Sequence, residues 1–207
     1  KDTVSVRALY NDTKISLHLE WDDRTKSIPG DDKAKAIADE ELSEDAIAVQ
    51  LPMAIPTGME KPYFLMGDTA KPVNLWRWSS GTTDNPASIT LLDATGIDAQ
   101  EARDANGLTA KADYKDGTWR VVMTRALTTD QADKDLQFQE GRFIPIAFFA
   151  WDGSNSEAGS RHAMTTWYWL LLKPSTGARP IIGAIIAFFL ICGLLFWWNR
   201  SAGRSAS

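Results

Sequence analysis

Residues 15 to 21 read Ile-Ser-Leu-His-Leu-Glu-Trp, apolar at every odd position and polar at every even one. A period of two commits a segment to a β-strand with one face in a core, because successive side chains on a strand point to opposite sides. The same signal returns in 118–127, where Trp119, Val121 and Met123 share a face, and at Trp76 and Trp78. Val4 to Tyr10 and the 15–21 strand flank the turn Asn11-Asp12-Thr13 and read as an opening hairpin. Ala46 to Leu51 adds a strand, Phe143 to Trp151 is nearly all apolar and reads as a centrally buried strand, and 164–172 supplies the last one. Residues 24–45 are charged and turn-rich, a loop with a helical turn around Ala34 to Leu42, and Ile89 to Asp113 reads as a polar surface excursion. The expected body, residues 1–172, is mainly β: an antiparallel β-sandwich.

The other end of the chain behaves differently. Between Ile181 and Trp198 there is no charged residue, Pro180 precedes the run, and Trp197 and Trp198 close it before Arg200 and Arg204. As a helix this run rises about 27 Å, close to the thickness of a bilayer's hydrocarbon core. Proline at the start of a helix and paired tryptophans at interface depth fit the same picture. The expectation is a single transmembrane helix over 181–198 behind a linker at 173–180. Residues 199–207 form a short cytoplasmic tail, and the body lies on the periplasmic side.

Charge and cysteine count remove several classes of function. The net charge is -5 and the body has no Lys/Arg cluster, which argues against nucleic acid as a partner. Cys192 is the single cysteine, so the chain has no internal disulfide, no iron–sulfur cluster of its own and no covalent haem attachment. With two histidines, His18 and His162, and no base beside a nucleophile, the expectation is a non-catalytic protein. Met66 precedes Gly67-Asp68 and a strand that carries Trp76 and Trp78. Its thioether is a soft ligand suited to iron or copper, and packing beside a core strand is the plain alternative.

Several segments, in this order along the chain, resemble a known family. They are Val49-Gln50-Leu51-Pro52; Gly67-Asp68 through Lys71-Pro72-Val73-Asn74-Leu75-Trp76-Arg77-Trp78; Trp119-Arg120-Val121-Val122 with Arg125-Ala126-Leu127; Ile144-Pro145-Ile146-Ala147-Phe148 through Trp151-Asp152-Gly153; Glu157-Ala158-Gly159; and Thr166-Trp167-Tyr168. The set resembles the haem b-binding gamma subunit of the ethylbenzene dehydrogenase type. Subunits of that kind also accompany dimethyl sulfide dehydrogenase, selenate, chlorate and perchlorate reductases, and some nitrite oxidoreductases.

The resemblance implies a β-sandwich holding one non-covalent b-type haem. It also implies a molybdenum-cofactor catalytic subunit and an iron–sulfur subunit as partners, with a cytochrome c or a membrane carrier beyond them. The family's haem takes a methionine on one face, which Met66 matches, and usually a lysine on the other. The segment that would carry the lysine reads Ser160-Arg161-His162-Ala163-Met164-Thr165-Thr166-Trp167, and His162 stands in the lysine's place. Met164 or His18 is an alternative second ligand, and Met53 and Met59 are further methionines in a Pro/Gly loop. Trp76, Trp78 and Phe148 are the expected apolar wall of the haem, and Arg77, Lys71 and Arg161 the candidate partners of its propionates.

A one-electron relay subunit is the reading that follows. The alternatives are a haem-free, membrane-anchored sandwich binding carbohydrate on an exposed Trp pair, and a structural accessory subunit.

Overall fold

The computed structural model describes residues 3–38, 41–174 and 179–202. The chain divides into two units, Lys1–Leu172 and Lys173–Ser207. In chain order the first unit contains β1 (Ser5–Tyr10), β2 (Lys14–Asp22), α1 (Asp32–Lys35), β3 (Ala46–Pro52), β4 (Val73–Gly81), β5 (Pro86–Ala94), β6 (Gln100–Arg103), β7 (Thr109–Lys115), β8 (Thr118–Ala126), β9 (Phe143–Trp151), β10 (Ala163–Met164) and β11 (Tyr168–Leu171). One sheet has the order β1-β2-β8-β7 and the other β10-β9-β3-β4-β5-β6, with β11 also paired to β9. Each of these pairings is antiparallel.

Side-chain alternation decides what meets between the sheets. In the β2–β8 ladder Leu17 lies opposite Met123, Leu19 opposite Val121 and Trp21 opposite Trp119, so apolar pairs stand side by side on the inner face. From the larger sheet Ile47, Val49 and Leu51, Trp76 and Trp78, and Ile144, Ile146 and Phe148 join them in one core. The ring centroids of Trp78 and Trp119 are 4.9 Å apart, edge to face. The β1–β2 hairpin forms because the Asn11 side-chain oxygen accepts from the backbone N–H groups of Thr13 and Lys14, at 2.9 and 2.8 Å.

Every residue of β3 is buried, its odd positions in the inner core and Ala46 and Ala48 in a second apolar cluster. That second cluster lies on the face of the larger sheet turned away from the smaller one.

Asp45, just before β3, ties the layers together. Its Oδ2 accepts from Ser27 N (2.8 Å) and Trp119 Nε1 (3.0 Å), and its Oδ1 from Gly153 N (3.0 Å). Gly153 has no room for a side chain, since a Cβ there would lie 2.1 Å from the Ser43 carbonyl oxygen. Burial, and then the charge of Asp23, push the Asp45 carboxyl up to about 6.

Three expectations need correction. The stretch 89–113 is not an excursion but the continuation of β5 followed by β6 and β7. These strands lie at or beside sheet edges and are largely half-buried or exposed, so their apolar alternation is diluted. The last strand is split into β10 and β11 around Thr165, whose N–H donates to the Phe148 carbonyl (2.9 Å) while its hydroxyl accepts from Phe148 N (3.0 Å). The helical turn shortens to α1, capped by the Asp31 carboxylate on Lys33 N, and residues 39 and 40 lie outside the described residues.

The second unit contains α2 (Arg179–Ala202). Among the described residues no helix is long and apolar enough to cross a membrane. The expected span 181–198 includes Ile181, Phe196 and Trp198, whose side chains lie outside the described residues. Residues 175–178 of the expected linker 173–180 and residues 203–207 of the expected tail 199–207 also fall outside the described residues.

Candidate functional site

Met66 is set by backbone geometry. The Gly67 N–H donates to the Tyr63 carbonyl (2.9 Å), and Met66 and Gly67 follow one another in the left-handed region, at φ 61° and 73°. A non-glycine residue held there costs on the order of 1 kcal/mol or more, so the surrounding loop must enforce it. At position 67 only glycine fits, because a Cβ would lie 2.8 Å from the Lys71 carbonyl oxygen. The turn lays Met66 on the second apolar cluster, fully buried with Ala46, Ala48, Val73, Leu75, Ala94, Phe149 and Trp151. Gln50, also fully buried, fastens the loop by donating Nε2 to the Phe64 carbonyl (3.3 Å). Among the described residues the Oε1 of Gln50 has no hydrogen-bond partner.

His162 reaches the same cluster from the loop between β9 and β10. Its ring lies 5.2 Å from that of Phe149 and 5.3 Å from that of Trp151. Its Nδ1 is 3.2 Å from the Gly159 carbonyl oxygen. A carbonyl oxygen only accepts, so Nδ1 carries the hydrogen and Nε2 keeps the free lone pair. This is the arrangement in which a histidine serves as a metal ligand, with its other nitrogen anchored on the backbone. The Trp151 Nε1–H donates to the same Gly159 carbonyl at 3.0 Å. Trp167, in the link between β10 and β11, donates its Nε1–H to the Pro62 carbonyl of the Met66 loop at 2.9 Å, and its ring packs on the Met66 cluster.

Arg77 borders the site. On β4 it alternates with Trp76 and Trp78, lies opposite Ala48, and stacks its guanidinium 5.3 Å from the centre of the Trp151 ring. Burial holds its pKa below the usual arginine range, and the charge of Glu44 partly offsets this. Among the described residues no carboxylate lies within ion-pair distance of Arg77.

The donor set fits a b-type haem. A thioether and an imidazole with a free Nε2 border one apolar cluster, floored by two alanines and walled by Phe149 and Trp151. A stacked, half-buried guanidinium without an acid partner stands beside it.

The other expected residues are distributed differently. Trp76, Trp78 and Phe148 are not brought to Met66. They face the inner core, where Trp76 and Trp78 are at most 2% exposed, because the strand period sends them to the opposite side from Arg77 and Phe149. The same burial removes the exposed Trp pair on which a carbohydrate platform depends. Lys71 forms an ion pair with Glu60 away from the cluster, and Arg161 is exposed, with its backbone N–H on the Ala158 carbonyl.

Of the alternative ligands, His18 lies on the outer face of the smaller sheet and Met59 is exposed. Met164 lines a groove of about 670 Å³ with Val6, Phe148 and Tyr168, and Phe149 and Ala163 border the same groove. The groups that sequence reasoning missed are Phe149, Trp151, Trp167, Gln50 and the alanine floor. The available signal was parity, since the residues that share a face with Arg77 are the partners of Ala48, not the neighbours Trp76 and Trp78.

A family profile described as ethylbenzene dehydrogenase matches residues 1–107 and 88–163. A provisionally named respiratory nitrate reductase heme subunit of Haloferax mediterranei is 28% identical over 185 residues, covering 86% of this chain and 59% of that protein. The chlorate reductase subunit gamma of Ideonella dechloratans is 29% identical over 169 residues, covering 81% of this chain and 64% of that protein. The chain thus spans about three-fifths of the length of these two relatives.

Proposed function

The chain belongs to the ethylbenzene dehydrogenase family, and on that premise we propose that it is a non-catalytic, haem-binding electron-transfer subunit of a reductase complex. The observation that carries this reading is the convergence of Met66 and His162 on the Phe149–Trp151 cluster, with His162 Nδ1 anchored on the Gly159 carbonyl. When bound, a b-type haem supplies a one-electron ferric/ferrous couple. The chain's own residues do the rest. Met66 offers a thioether, which favours the ferrous state, and His162 offers Nε2. Phe149, Trp151 and the alanine floor exclude water, and Arg77 neutralises a propionate.

In this reading the protein relays single electrons between a partner's iron–sulfur chain and a cytochrome c or membrane carrier, beside a molybdenum-cofactor catalytic subunit. The names of the two relatives, both subunits of reductases, support this role. Membrane attachment rests on the charge-free run 181–198 and on exposed apolar side chains between Ile182 and Leu195 and at Trp197. It would place the body on the extracytoplasmic side.

The test is a pyridine haemochrome assay on the full chain, purified in detergent and supplied with haem. The expected result is a b-type spectrum at one haem per chain, low-spin in both oxidation states. A folded chain that takes up no haem rules the reading out and leaves a structural accessory subunit.

A further inference from the structure

We propose that Trp167, in the link between β10 and β11, is a positioning residue that fastens the Met66 loop to the segment following the His162 loop and so sets the spacing of thioether and imidazole; this rests on the haem-binding reading above. The two ligands come from different loops, each with its own anchor. The Met66 loop is held to β3 through Gln50 and Phe64, and the His162 loop to β9 through Trp151 and Gly159. Neither anchor relates one loop to the other. The Trp167–Pro62 hydrogen bond, at 2.9 Å between residues 105 positions apart, ties the Met66 loop to the β10–β11 link, which follows the His162 loop across the short β10. Proline has no N–H, so the carbonyl is the only backbone group through which Pro62 accepts or donates a hydrogen bond. Trp167 uses it, and its ring packs on the cluster that contains Met66.

The two contributions of Trp167 are separable. Its ring fills space, which is structural, and its N–H fixes the Met66 loop against the β10–β11 link, which bears on coordination. Iron–thioether bonds are the weaker of the pair, so a loosened clasp releases Met66 before His162.

The experiment compares the haem-loaded full chain with Trp167→Phe, which keeps an aromatic ring and removes the N–H. The wild type is expected to be low-spin and to resist carbon monoxide in the ferrous state. Trp167→Phe is expected to keep its haem, to gain a high-spin component, to bind carbon monoxide about tenfold more tightly, and to show a lower reduction potential. If Trp167→Phe fails to fold, benzothienylalanine at position 167 replaces the N–H with sulfur at nearly constant volume and is read in the same way. A merely structural Trp167 would lower the unfolding temperature and leave spin state, carbon monoxide binding and potential at wild-type values, which overturns the proposal. A folded wild-type chain that takes up no haem overturns the haem reading itself, whatever Trp167 does.

Discussion

Trp151 and His162 share one acceptor: Trp151 Nε1 lies 3.0 Å and His162 Nδ1 3.2 Å from the carbonyl oxygen of Gly159, with the two rings 5.3 Å apart. A shared acceptor weakens each bond. Trp151→Phe leaves the carbonyl wholly to His162, making the imidazole a stronger donor to iron. The reduction potential is expected to fall, as measured by optical redox titration. An unchanged potential would mean that the sharing has no electronic consequence.

The ligands themselves give different signatures. Met66→Ala is expected to convert a low-spin haem to a high-spin one with a lower potential, because the group that favours ferrous iron is lost. His162→Ala is expected to weaken haem retention by about 10- to 100-fold. Haem titration and electron paramagnetic resonance separate the two. Wild-type spectra from both variants would assign the iron to other donors.

Arg77 carries a half-buried positive charge whose described contacts are an aromatic face and the distant charge of Glu44. Arg77→Leu is therefore expected to leave the apo chain at least as stable, since a desolvated charge disappears. Haem affinity should fall by about 1.5–3 kcal/mol, the range for a hydrogen bond to a charged group. Calorimetric unfolding and haem titration measure the two effects. A loss of apo stability with no loss of affinity would make Arg77 a packing residue.

Trp78 is expected to behave in the opposite way. Trp78→Ala should cost about 3–5 kcal/mol of stability, as for other buried aromatics truncated in a core. Trp78→Phe, which folds more readily, should leave the haem spectrum unchanged. A shifted spectrum in Trp78→Phe would return the inner core to the site.

Asp45 predicts a dependence on pH. Its carboxyl is held at about 6 by burial and by Asp23, above its ordinary value of 3.8. The folded chain therefore binds this proton more tightly than the unfolded chain does. The stabilising contribution is full below pH 4, is lost as pH rises through about 6, and totals roughly 3 kcal/mol at about 1.4 kcal/mol per pK unit. Denaturant unfolding of wild type and Asp45→Asn at pH 4, 5, 6 and 7 isolates it. The variant should lack this slope, and equal slopes would assign the titration elsewhere.

The architecture was legible wherever a strand buries one face. The hairpin, β3, β8 and β9 follow from alternation or from unbroken apolar character. β5 to β7 were obscured because half-buried strands near an edge need little apolar periodicity. Met66 and His162 were named from residue type, and the structure sets both on the Phe149–Trp151 cluster, whereas Trp76, Trp78 and Phe148 lie on the opposite face of the sheet, which parity decides. Arg77 and the tryptophans at 76 and 78 cannot line one face of a strand, so a set containing all three was inconsistent before any coordinates. Phe149 differs from Phe148 by a single position, and only the β3–β9 register, with Ala48 opposite Phe149, tells which of the two faces Met66.

The bond between Trp167 and Pro62 joins residues 105 positions apart and has a consequence for synthesis. A ribosome-bound chain that has emerged only as far as β8 has Met66 but neither the strand that walls its cluster nor the loop that supplies its partner. Closing so long a segment is slow in conformational search, since distant contacts are rewarded only after the intervening chain has been ordered. In the proposed haem-binding role, haem uptake would therefore be among the last events in maturation, and a filled site would report that β9 has inserted beside β3.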